Sequence, residues 1–449
     1  MTNFSEHINE HLSEIAGNDY IDSELYNKYS VKRGLRNEDG TGVLVGLTRV
    51  GDVQGYEITD GKKVAVPGKL FYRGIDVEEI ASSAAKNDRF CFEEIIYLLL
   101  FGKLPNQNQL DEFNRDIGSF RALPKNFAED VIMRAPSRDI MNKLASSILA
   151  LYPYDEDPEN QSPENVLRQC MELISRFPTI AAYSYMSMKH FIDCESLVIH
   201  HADSALSSAE TLLSLIRPDK AYTKREAQLL DLALVLHAEH GGGNNSTFTV
   251  HVVSSADTDT FSAIAAGLGS LKGYKHGGAN AKVIGMMDDI MKNVKNWESE
   301  KEVSGYLEKI LKGEAYDGAK LIYGQGHAIY TITDPRAILL RDRAKALAEE
   351  KGLLNEFNLH CLIERLTPSV FKKVKGSDKD ICTNVDFYSG FVYKMLGIPP
   401  EMNTPIFAVS RIAGWCAHRL EEITAGGRII RPAYKCVQPH INYTEAEKR

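Results

Sequence analysis

The stretch DPRAILLRDRAKALAEEKG, Asp334–Gly352, is punctuated as a helix at both ends. Asp334 is an N-cap type whose carboxylate accepts free amides of the first turn, and Pro335 suits the first helical position because no N–H is needed there. Leu339, Leu340, Ala344, Leu347 and Ala348 recur at helical spacing, and Gly352 stands just past the end. The same signals appear elsewhere. Phe92–Leu100 is broadly apolar and runs into Gly102 and Pro105. Thr223 with Glu226 forms a capping box ahead of Leu229, Leu230, Leu232, Ala233 and Leu236. A further helix is expected from Thr404-Pro405 to Gly426-Gly427, and a short one within Ser299–Asp317. Strand signals cluster only at Val43–Val50 and Tyr56–Val66, the second around an Asp60-Gly61 turn that favours a hairpin. The chain therefore reads as mainly α, with a small N-terminal β-hairpin.

Composition narrows the function. The 449 residues are 43% hydrophobic and 25% charged, which is ordinary for a globular protein. Lys plus Arg total 52 against 61 Asp plus Glu, a formal charge of −9. An acidic chain lacks the broad basic surface of a nucleic-acid binder, so any anion must be met by local charge. No stretch approaches the roughly 18 apolar residues of a membrane span. The N-terminal residues have neither an apolar signal core nor a transit peptide's arginine-rich look. Seven cysteines without a CxxC read as reduced thiols. A cytoplasmic protein with no nucleic-acid or membrane partner is expected.

Four segments combine glycine or asparagine with reactive side chains: His237–Thr247, Lys275–Asn280, Gly324–Tyr330 followed by Asp334-Pro335-Arg336, and Asn384–Gly390. Glycine beside a polar side chain lets a ligand approach the backbone, and amides at a helix start favour negative charge. Singly, each segment is equally a turn or a cap. Arg411, inside the apolar run Phe407–Ala413, stands out because arginine is rarely buried unpaired. His237 and His240 lack the HExxH order of a zinc helix, so no metal is expected. The glycine run 241–243 has no following Lys-Ser/Thr, and no GxSxG elbow is present.

Taken in order, these segments resemble the citrate synthase family. The likeness also takes in Leu70–Ile80 with its Tyr-Arg-Gly, the helix ending at Leu104-Pro105, Phe177–Tyr183, and Arg428–Pro432. It implies a two-domain helical fold: residues 1–278 begin a large domain, 279–390 form a small mobile domain, and 391–449 return to the large one. The reaction implied joins acetyl-CoA to oxaloacetate and hydrolyses the product to citrate and CoA. No cofactor is implied, because acetyl-CoA is a substrate. Asp386 would be the base, His276 the donor to the thioester oxygen, and His327 the group that polarises the ketone. His240, Asn244, Ser246, Arg336 and Arg411 would form the oxaloacetate pocket. Arg431 would reach it from the second subunit of a homodimer, and Gly324, Gln325 and Gly326 would lie against CoA. A 2-methylcitrate synthase acting on propionyl-CoA is the alternative. Glu239 stands where the family commonly has Asp, and is expected to matter little. Thr331 replaces a basic residue that meets CoA phosphate in many relatives, so other Lys or Arg would hold CoA.

Overall fold

The computed structural model describes residues 8–9, 11–12, 15–60, 62–377 and 380–448. Gly61 of the expected turn lies outside them. Two compact units are distinguished, Met1–Leu47 and Thr48–Arg449. The first holds helix α1 (Ser23–Lys28), capped by Asp22, and a bridge between Arg36 and Gly42.

The second unit opens with an antiparallel sheet, β1 (Gly51–Thr59), β2 (Lys62–Tyr72) and the two-residue β3 (Ile75–Asp76). Val43–Val50 is not a strand, contrary to its sequence pattern. Alternation stabilises a strand only when one face is buried, and Leu44, Val45 and Leu47 are exposed. The ladder starts at Gly51 instead.

Helices make up the rest. They are α2 (Val77–Lys86), α3 (Phe92–Phe101), α4 (Gln107–Ser119), α5 (Ile140–Leu151), α6 (Pro163–Phe191), α7 (Ser208–Ile216), α8 (Lys224–His237), α9 (Asn245–Ser254) and α10 (Thr260–Leu271). After these come α11 (Ala279–Asn293), α12 (Glu300–Lys312), α13 (Pro335–Glu350), α14 (Leu354–Lys375), α15 (Val385–Met395) and α16 (Asn403–Ala425). The end signals act as read. Gly102 closes α3 and Gly426 closes α16, both at positive φ. The Thr223–Glu226 capping box opens α8, and Asp334 caps α13. No helix among the described residues is long and apolar enough to cross a membrane.

Helix α16 is the axis of the core. It packs against α3, α6, α8, α9 and α10, and nearly every residue from 405 to 420 is buried. Its contact with the end of α8 is so close that a methyl group on Gly414 would overlap the Ala238 carbonyl and the Glu239 carboxylate. Gly414→Ala is expected to cost about 1–3 kcal/mol, since neither neighbour can retreat. A lowered denaturation midpoint with an unchanged m-value measures it.

The β-ribbon has a positional use that its sequence does not advertise. At Gly68 a side chain would collide with the Thr333 carbonyl and lie 2.6 Å from the Tyr330 ring. The Gly68 amide instead donates to Thr333 Oγ1 at 3.0 Å. The ribbon thus backs the segment that carries His327 and Arg336.

Candidate active site

The first wall is the C-terminal end of α8. A helix leaves its last carbonyls without intrahelical partners, and here side chains from elsewhere cap them. Tyr72 donates its hydroxyl to Val235 O at 2.9 Å, Ser410 donates to Leu234 O, and Arg411 Nε donates to His237 O at 2.6 Å. His237 Nδ1 bonds to Ala233 O at 2.7 Å, so this histidine finishes a helix. The chain then turns through His240 and Gly241 and enters α9, with Asn244 at the N-cap position.

Arg411 is fully buried. Its guanidinium lies 4.7 Å from the Phe407 ring centre, and its Nη1 has no hydrogen-bond partner. Burial lowers its pKa to about 10, opposed by the Glu239 charge, so it stays cationic at neutral pH. His240 Nε2 is likewise buried without a partner. Burial, then the Arg336 charge, holds its pKa well below the usual value. Buried polar atoms without partners call for an explanation, and an anion seated between them would supply it.

The second wall is Gly324–Arg336. Gly324 and Gly326 both have positive φ, and the loop is laced to the residues before α15. Gly326 N donates to Cys382 O at 2.6 Å, Asn384 N to Gly324 O at 2.9 Å, and Asn384 Nδ2 to Gly326 O at 2.9 Å. Gln325 Oε1 accepts the Thr383 hydroxyl at 3.0 Å. His327 Nδ1 accepts the Ile329 and Tyr330 amides at 3.1 and 3.0 Å. A neutral ring held in this way carries its proton on Nε2. Its centroid lies 5.2 Å from that of His240, and it stacks on Tyr330 at 4.6 Å. Arg336 is buried and gripped by Asp334 through Nε at 3.0 Å and Nη2 at 2.8 Å. The same Asp334 accepts the Val385 amide at 3.2 Å, which ties this wall to the start of α15.

Asp386 sits in the first turn of α15, its amide held by Asn384 Oδ1 at 3.0 Å. Burial raises its pKa to about 6, against the opposing pull of Arg336. His276 lies on the turn before α11, with Nε2 3.1 Å from Ser246 Oγ. Burial, aided by the Arg411 charge, lowers its pKa to about 4, so the ring is neutral. Asn280, in the first turn of α11, donates to Ser389 Oγ at 2.7 Å and to Asp386 O at 3.5 Å, linking the two helix starts.

The fold therefore gathers His240, Asn244, Ser246, His276, Gly324–Gly326, His327, Arg336, Asp386 and Arg411 in the second unit. Arg431 is not among them: it is exposed on the extended segment after α16. Sequence reasoning missed residues that support the site. Trp415 and His418 lie at helical spacing from Arg411 on one face of α16, and all three are fully buried. Trp415 Nε1 donates to Ser246 Oγ at 3.2 Å. His418 Nε2 is 3.1 Å from Glu239 Oε1, and His418 Nδ1 is 3.0 Å from His251 Nε2. Polar residues recurring at that spacing in an apolar helix were the available signal. Glu239 is fully buried and accepts the Gly241 amide, so it is structurally committed. Among the described residues, one cluster has metal-ligand geometry: His251, His418 and Glu421. Its Glu421 already accepts the Thr48 hydroxyl at 2.6 Å and the Arg49 amide at 2.7 Å.

Comparison with known proteins agrees with this frame. The family profile described as citrate synthase, C-terminal domain, matches residues 39–433. A citrate synthase of Haloferax volcanii is 31% identical over 425 residues, 93% of this chain and 99% of that one. The structure of citrate synthase from Pyrobaculum aerophilum superposes with a TM-score of 0.74 at 29% identity, covering 91% of this chain and 94% of that one. A Thermoplasma acidophilum citrate synthase, solved as a ternary complex with carboxymethyl coenzyme A and oxaloacetate, gives 0.75 at 26%, covering 93% and 99%. The chain is an enzyme of the acyltransferase class. It belongs to the citrate synthase family.

Proposed function

We propose that the enzyme condenses acetyl-CoA with oxaloacetate and water to give citrate and CoA. The observation that carries this reading is the pair of buried arginines, Arg336 and Arg411, beside the orphaned Nε2 of His240. Two buried guanidinium groups suit a small dicarboxylate: Arg411 offers its unpartnered Nη1, and Arg336 is held in place by Asp334 through Nε and Nη2. Net acidity of the chain does not oppose this, because the positive charge is local.

The remaining groups then take definite roles. A thioester methyl is a weak carbon acid, and Asp386 removes its proton as the base. A carboxyl with pKa near 6 is a better base than an exposed one and is still ionised at neutral pH. His276, neutral, donates to the thioester oxygen as the enol or enolate forms. Such a preplaced donor contributes about 2.7–4 kcal/mol in comparable oxyanion sites. His327 directs Nε2–H at the oxaloacetate ketone and hands a proton to the alkoxide as the carbon–carbon bond closes. Water then cleaves citryl-CoA at the thioester and releases CoA thiol.

Closure of residues 279–390 over the rest would keep water from acetyl-CoA before condensation. His327 and Asp386, laced together through Gly324–Gly326 and Asn384, would move as one body. That loop would lie against CoA, and Arg431 would complete the pocket of a second copy in a homodimer.

The test is CoA thiol release with acetyl-CoA and with propionyl-CoA, each with and without oxaloacetate. Release is expected only with oxaloacetate present, and faster with acetyl-CoA. Oxaloacetate-independent release would overturn the condensation. Preference for propionyl-CoA would make the enzyme a 2-methylcitrate synthase, whose pocket differs by one methylene, worth about 1–3 kcal/mol.

A further inference from the structure

Behind α15, on the side away from the site above, α11, α14, α15 and the turn leading into α16 leave a cavity of about 280 Å³. Packed interiors seldom leave a void larger than a water molecule, and an apolar void of about 150 Å³ already takes benzene. Val283, Met287, Phe391 and Ile398 give this one an apolar wall.

Its polar lining is unusual. His360 is 2% exposed and faces the cavity. Its Nδ1 lies 2.9 Å from Glu356 O, and a carbonyl only accepts, so Nδ1 carries a proton and donates it there. Burial lowers the pKa of the ring to about 4, so the ring is neutral and Nε2 is a bare acceptor. Among the described residues no donor meets Nε2. It is not sealed off as His240 Nε2 is, so it opens on the cavity. From the α16 side, Asn403 is 4% exposed and leaves Oδ1 without a partner. Its Nδ2 donates to Asn280 Oδ1 at 2.8 Å, which joins this wall to the residue that reaches Ser389 and Asp386.

Charge narrows the occupant further. Lys394 Nζ donates to both Glu356 oxygens, at 2.8 and 2.7 Å, so that pair is satisfied. Asp288, exposed at the rim, has no such partner among the described residues. The lining thus presents unpaired acceptors and one uncompensated negative charge. That suits a cationic N–H donor and repels an anion. We propose that the cavity is a second small-molecule site, for an organic cation that joins an apolar body to an ammonium, amidinium or guanidinium head. The head meets His360 Nε2 and Asp288, and the body lies against Met287 and Phe391.

The experiment uses the full chain carrying ¹³C-methyl methionine, with benzamidine as the probe and benzamide as its uncharged isostere. The Met287 methyl resonance, assigned through Met287→Leu, reports occupancy. Benzamidine should shift it saturably, with a dissociation constant on the order of 1 mM. Benzamide should bind about fivefold more weakly, the worth of one rim charge. Asp288→Asn, a surface change, should erase that preference. His360→Phe keeps an aromatic ring against Phe391 and removes the acceptor, so both probes should bind about tenfold more weakly. An unmoved Met287 resonance overturns the proposal, as does affinity that both variants leave unchanged. If His360→Phe does not fold, a preference for benzamidine that survives in Asp288→Asn overturns it. Occupancy is read without turnover, so failure of the enzyme to release thiol would remove the proposed function and leave this site to be judged on its own.

Discussion

Asp386→Asn is expected to lower kcat about a thousandfold, within the range attributed to a positioned general base, while raising the unfolding free energy. The two effects have one cause. Burial lifts the Asp386 pKa from 3.8 to about 6, so the folded protein holds that proton to higher pH than the unfolded chain does. Its contribution to stability is complete below the unfolded pKa and is lost as pH rises through about 6. At pH 7 the ionised base costs up to about 3 kcal/mol, taking about 1.4 kcal/mol per pKa unit. The amide variant avoids that cost. Wild-type kcat should climb tenfold per pH unit below about pH 6 and level off above it. Titration of the variant's unfolding free energy from pH 4 to 8 should show less decline than wild type. Equal pH slopes in both proteins, or activity retained in the variant, would remove Asp386 from the role of base.

What the sequence disclosed and what it hid follow a physical line. Helix ends were legible because Asp334, Pro335, Gly102 and Gly426 act locally, through caps and positive φ. The reactive residues were legible because each sits on a glycine- or asparagine-marked helix end, as at Asn384–Asp386. The groups that aim them were hidden. Trp415 and His418 look like ordinary members of an apolar helix, and only packing of α16 on α8 and α9 shows whom they touch. Val43–Val50 misled because alternation says nothing about whether a partner strand exists. Gly68 carried no signal in the sequence, yet its lack of a side chain admits the Thr333 backbone behind His327. Glu239 was undervalued for the same reason, because its partner His418 lies far along the chain on α16.

That partner carries the second large effect: His418→Leu is expected to destabilise the protein by about 3–5 kcal/mol, the cost of leaving one charge of a buried pair without the other. Both side chains are fully buried. The Glu239 carboxylate, opposing burial, raises the His418 pKa from 6.5 to about 9, and His418 with Arg411 draws the Glu239 pKa down. A histidine raised on folding contributes stability that is complete below pH 6.5 and is lost as pH rises through about 9. Wild type should therefore lose on the order of 3 kcal/mol between pH 6.5 and 9.5, and His418→Leu should lose far less over that window. Adding Glu239→Gln to His418→Leu should restore part of the loss, because the stranded charge is gone. The oxaloacetate KM should rise in the single variant, since Glu239 also holds the Gly241 amide at the turn bearing His240. Denaturant unfolding at four pH values decides the matter. A wild-type curve flat from pH 6.5 to 9.5, or a double variant less stable than His418→Leu, would mean that the pair is not ionic and that the turn is held by packing alone.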